Sequence, residues 1–192
     1  STQYCFTVLA VHNEYGAGSQ SNEDCATPAE VVGPTWRLQL VAELDQYDQY
    51  HYTGDPAWKL ADEYNYIGVA ADASWGYDTE HDIPETPFPP TAYVALFFDH
   101  PEWEANGFEI VHYTEDIVLD DHDFFSTNLT QWNGTMVSTA PGTASITFTV
   151  ETGTIPSNYE MYVELDGEFT RIATDAPTTV SFYMDGSFQK DF

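Results

Sequence analysis

The segment DASWGYDTEHD, residues 72–82, gathers Asp72, Asp78, Glu80 and Asp82 around His81 in one turn-rich stretch. Calcium takes about six to eight oxygens from flexible carboxylates and backbone carbonyls, and such a loop can supply them. The EF-hand order D-x-[DN]-x-[DN]-G with its terminal Glu is absent. The alternative is a solvated acidic turn. Asp116, Asp120, Asp121 and Asp123 around His122 form a second cluster with the same two readings. Zinc chemistry finds less here: His12, His51, His81, His100, His112 and His122 are scattered and none of the Cys/His spacings of zinc sites occurs.

Nucleophile motifs are missing as well. There is no G-x-S-x-G, and a carboxylate pair drawn from 32 acidic residues is no evidence of a glycosidase. The expectation is a protein that is not an enzyme. The aromatic residues offer binding instead. Tyr47, Tyr50, Tyr52, Trp58, Tyr64, Tyr66, Trp75 and Tyr77 cluster along one stretch of chain. Exposed rings beside carboxylates grip sugars by stacking on their apolar faces, and the same rings serve equally to build a protein interface. Two Asn-x-Thr sequons, at Asn128 and Asn133, are acceptors for glycans where the machinery exists.

Charge narrows the partners. Four Lys and Arg face 32 Asp and Glu, a net charge of −28. Phosphate binding draws on basic side chains, so nucleic acid and anionic membrane surfaces are both argued against. Carboxylates this numerous repel one another unless salt or bound cations screen them, which points to an extracellular or cell-surface setting. No apolar run has the length of a membrane span, and the chain carries no signal peptide; an exported protein would have lost it or carry it outside this segment.

The elements that must position these residues read as strands. At 42% hydrophobic and 16% aromatic over 192 residues, there is material for a good-sized core. Residues 4–11 alternate, turn at 14–18 and return to Cys25, which is one hairpin. Cys5 and Cys25 flank it, either bridged or as two free thiols. Residues 27–34 read as a linker. TWRLQLVAEL (35–44) is a half-buried strand, and TAYVALFFDH (91–100) reads as buried on both faces. Further strands fall at 108–113, 117–119, 134–139, 144–150, 159–165, 169–173 and 178–184, with turns at Pro141-Gly142, Asp166-Gly167 and Asp185-Gly186. Residues 45–66, polar and Tyr-rich, read as a long surface loop with at most a helical turn around 58–64. The cadence is that of an all-β sandwich or jelly roll.

The pattern Tyr4-x-Phe6-x-Val8-x-Ala10, followed by Asn13, Gly16 and Ser21, resembles the F strand, FG turn and G strand of a fibronectin type III domain. The Cys5/Cys25 pair resembles versions in secreted bacterial proteins. Residues 35–192 are similar to a β-sandwich module of large secreted or surface proteins of environmental bacteria, on the strength of IGVAADASWGYDTEHDIPETPFPP and FFDHPEW. The resemblance implies a partial fibronectin hairpin over 1–30, a linker at 31–34 and an Ig-like or jelly-roll sandwich over 35–192, and it brings no catalytic residues. Two strands alone cannot shelter their apolar face. The resulting expectation is a structural protein, an adhesin segment or filament subunit, whose hairpin completes a neighbouring subunit's sheet to make a homopolymer. The alternative is a polysaccharide-binding module of a longer secreted protein.

Overall fold

The computed structural model describes the backbone of residues 4–6, 9–12, 16–20 and 24–26, together with residues 33–45, 59–90, 92–104, 111–125, 128–184 and 189–192. The chain divides into two compact units, Ser1–Val32 and Gly33–Phe192. In the first, β1 (Tyr4–Phe6) pairs antiparallel with β4 (Asp24–Ala26), and β2 (Leu9–His12) with β3 (Gly16–Gln20). The expectation of one hairpin turning at 14–18 is corrected in part: the strands pair antiparallel as two separate two-stranded sheets, and residues 16–18 lie in β3 rather than in a turn, while Cys5 stands directly opposite Cys25. Their side chains lie outside the described residues.

The second unit is all-β and sandwich-like. Its large sheet runs in the order β14 (Thr178–Met184), β11 (Gly142–Gly153), β5 (Trp36–Asp45), β6 (Lys59–Ala70), β9 (His112–Leu119), β8 (Val94–Asp99), β10 (Gly134–Ser138) and β15 (Gln189–Asp191), while the two-residue β7 (Ile83–Pro84) adds to β9. A separate hairpin joins β12 (Met161–Leu165) to β13 (Glu168–Ile172). It turns at Asp166-Gly167, where both residues take the left-handed backbone (φ 57° and 80°) that this Asp-Gly pair favours.

The core follows the period-2 pattern. Trp36, Leu38, Leu40, Ala42 and Leu44 all turn inward from β5, and register sets Leu40 against Phe148 and Ala42 against Ile146 of β11. Each of these large side chains contributes about 1.5–3 kcal/mol by leaving water. Every residue of β8 from Val94 to Phe98 is buried, as its unbroken apolar run requires.

The reading of 45–66 as one long loop is corrected at its second half. β6 is a twelve-residue strand in the middle of the sheet, paired with β5 on one side and β9 on the other. A register shift between Leu40 and Ala42 breaks its alternation, and two of its inward positions are polar, which hid the strand from a period-2 reading. Buried Asn65 shares Thr114 Oγ1 with the Tyr64 carbonyl, and Asp62 accepts from the Leu96 N–H at 2.8 Å. Of the expected strands at 108–113 and 117–119, residues 108–110 lie outside the described residues, and 112–113 and 117–119 belong to one strand, β9. It runs parallel to β6, an arrangement that short turns cannot make, so the chain from 71 to 111 crosses over and carries β7, β8 and the single turn α1 (Pro101–Glu104). Gly68 is required where these strands meet, because a Cβ there would collide with the Trp36 carbonyl.

Candidate functional site

Parallel pairing sends the segments that follow β6 and β9 out at the same end of the sheet. The Asp120 N–H closes that end on the Ala70 carbonyl at 2.9 Å. Beyond it lie the acidic loop 71–82 and α2 (His122–Phe125), with α1 and the segment 129–132 beside them. They enclose a cleft of about 250 Å³, whose lining includes Trp75, Trp103, Phe124 and Trp132 with His100, Glu102, Asp116, Thr130 and Gln131. This is below the roughly 300–1,000 Å³ of sites for drug-sized ligands, and it suits one small ring.

The rim is aromatic. Trp75 remains 44% and Phe124 36% exposed, with their ring centroids 4.5 Å apart. Asp121, just before α2, accepts the Phe124 N–H at 2.9 Å, the capping bond that fixes this turn and with it the Phe124 ring. Deeper in, Pro101 opens α1, where its missing N–H costs nothing, and one helical turn brings His100 and Trp103 to the same side. The two rings stack at 3.7 Å with planes 5° apart, and Tyr113 meets Trp103 edge-on at 4.7 Å.

His100 lies between two carboxylates: Nδ1 is 2.7 Å from Glu102 Oε1 and Nε2 is 3.0 Å from Asp116 Oδ2. Ionised carboxylates only accept, so this arrangement favours a ring that donates from both nitrogens, the protonated form. Burial by itself would lower its pKa; the bonds to Asp116 and Glu102 outweigh burial and raise it. Glu102 answers in kind: partial burial pushes its pKa up, but the bond from His100 prevails and lowers it.

Behind this pair sits Asp82, 2% exposed. Its Oδ2 accepts the Asp78 N–H at 2.7 Å and its Oδ1 the Ile117 N–H at 3.1 Å. Burial pushes its pKa up to about 7 against those two bonds, and the negative charges of Asp116 and Asp78 push the same way. Burial also lifts Tyr113 to about 12, with Tyr77 and Asp82 adding to the effect.

The fold thus takes one acid from each predicted cluster and sets them beside one another, Asp82 from the first and Asp116 from the second. Asp78 stays beside Asp82 through its backbone N–H, and the others go elsewhere. Asp72 Oδ1 pairs with His81 Nε2 at 3.0 Å, and Asp78 Oδ1 accepts the Glu80 N–H at 3.0 Å. Glu80 is exposed, and Asp120 and Asp121 serve the sheet end and the helix start. Among the described residues no three His, Cys, Asp or Glu side chains converge as a metal would need. The side chain of Asp123, and Tyr47, Tyr50, Tyr52 and Trp58, lie outside the described residues. Tyr77 packs inward, 5.5 Å from Trp103 and 5.6 Å from Tyr113. Of the sequons, Asn128 is exposed but sends its Nδ2 to the Phe124 carbonyl at 3.0 Å. Asn133 is exposed ahead of buried Thr135, which bonds to Asp99 and Asp191.

His100, Glu102, Trp103 and Trp132 were absent from the sequence-derived candidates. The available signal was the H-P-E-W order of 100–103, a proline at the first position of a turn with a ring on each side of it. Trp132 carries no such local mark. Compared with known proteins, the chain matches no family model, no curated protein and no solved structure. The likeness of residues 1–30 to fibronectin type III strands therefore rests on their residue pattern alone.

Proposed function

We propose that this chain is an extracellular carbohydrate-binding module that seats one sugar ring of a polysaccharide in the cleft between the acidic loop and α2. The observation that carries this reading is the pairing of an open aromatic rim, Trp75 with Phe124, and a polar lining of His100, Glu102, Asp116 and Gln131. Sugars have apolar faces that stack on rings and hydroxyl edges that need donors and acceptors, and this cleft offers both. The net charge of −28 suits a medium in which salt screens it. Affinity electrophoresis of the full chain through gels containing neutral, cationic or anionic polysaccharides tests the reading. Retention by at least one of them, lost in Trp75→Ala, supports it; a folded protein that none of them retards overturns it.

A second reading, a structural subunit assembling by strand complementation, is favoured by a different observation. Among the described residues of 1–32, the strands pair only two by two, and such pairs are marginal in water. A neighbouring subunit's sheet would shelter them. Negative-stain microscopy separates the two readings: filaments that disappear when residues 1–30 are deleted belong to the subunit, monodisperse particles to the sugar-binding module.

A further inference from the structure

Building on the sugar-binding reading, we infer that the cleft selects a glycan carrying a free amino group, an ammonium on a pyranose ring, over neutral and over acidic sugars. Among the described residues no Lys or Arg lines the cleft. Its titratable lining residues are Glu102, Asp116 and His100, two carboxylates against one imidazole, so the lining stays net negative even with His100 protonated. Asp116 keeps only 4% of its side chain exposed, so its charge acts with little screening by water, whereas Glu102 is 61% exposed and reachable by a ligand. The rim adds an independent preference, because the open faces of Trp75 and Phe124 attract cations through their ring quadrupoles. A uronate or a sulfate would meet the like charge of Asp116 and Glu102, with His100 already engaged by both through its two ring nitrogens, and a neutral ring would gain only the stacking.

The test is calorimetric titration of the full chain, in buffer of physiological salt near pH 6, with three short oligomers of one length: glucosamine, N-acetylglucosamine and a uronic acid. The expected result is a Kd for glucosamine at least about tenfold below that for N-acetylglucosamine, with no heat from the uronate. Glu102→Gln should narrow that ratio to within about threefold, while Glu168→Gln, an exposed acid on β13, should leave it unchanged. Equal or tighter binding of the neutral or acidic oligomer overturns the selectivity and leaves the sugar-binding reading standing. So does an unchanged ratio in Glu102→Gln, which would assign the preference to the acidic surface as a whole. No binding of any oligomer, with the fold intact by circular dichroism, overturns the sugar-binding reading itself.

Discussion

His100 lies flat on Trp103, ring centroids 3.7 Å apart, while its two nitrogens reach a carboxylate each. The stack holds the ring in the one plane from which both bonds are made, so the position of a charge in the cleft depends on an aromatic neighbour three residues away. Trp103→Leu is expected to keep the fold but free the imidazole. An NMR titration of His100 should then show its pKa falling back toward the ordinary 6.5 from its raised value, and an unmoved pKa would show that the stack does not position it.

Stability should decline as pH rises from about 4 to about 7, the reverse of the usual carboxylate trend. Asp82 has a folded pKa of about 7 against an ordinary 3.8, so in that window the folded state holds a proton that the unfolded state has released. The upper bound on this loss is about 4 kcal/mol. His100 adds to it at the top: its raised pKa gives stability that is fully present below pH 6.5 and is lost as pH climbs through the folded value. Urea melts across pH 4–8 check this, and Asp82→Asn should flatten the slope below pH 7.

Arg37 joins four neighbouring strands. From β5 it donates to Glu115 on β9 at 2.9 Å and to Glu151 on β11 at 3.0 Å, crossing the Tyr66 ring of β6 at 4.2 Å. Glu115 keeps only 9% of its side chain exposed, so Arg37→Ala strands a buried charge and should cost about 3 kcal/mol. The double variant Arg37→Ala/Glu115→Gln should recover much of that in denaturant melts.

Thr130 Oγ1 is buried and finds no hydrogen-bond partner among the described residues. Thr130→Val removes an unpaired hydroxyl at nearly constant shape and is expected to stabilise the protein by about 1 kcal/mol. A destabilisation in thermal melts would mean that the hydroxyl has a partner.

Directly opposed residues of an antiparallel pair stand about 4.5–5.5 Å apart at Cα, within the range a disulfide spans. Cys5 and Cys25 are so opposed. Mass spectrometry of the unreduced protein after alkylation should find neither cysteine modified, and reduction should expose both; alkylation before reduction would leave two free thiols as the answer.

The all-β class, the inward side of β5 and the buried run of β8 were legible in the residues themselves, because alternation and continuous apolarity are local consequences of a pleat with one or both faces covered. The strand character of 4–6 and 9–12 was legible for the same reason, but the strand at 16–20 was hidden by its glycines, which read as a turn. β6 was not legible either: Asp62 and Asn65 turn inward only because Leu96 and Thr114, more than 30 residues away in sequence, bring partners to them. The cleft is the same case on a larger scale. Composition alone determined that this protein carries many carboxylates and few cations to meet them. Which carboxylate lies buried beside which, Asp82 against Asp116 and Asp116 against His100, was decided by the parallel pairing of β6 with β9, which sets loops distant along the chain at one end of the sheet. Sequence spacing cannot encode that proximity, because it exists only once nonlocal strands share hydrogen bonds.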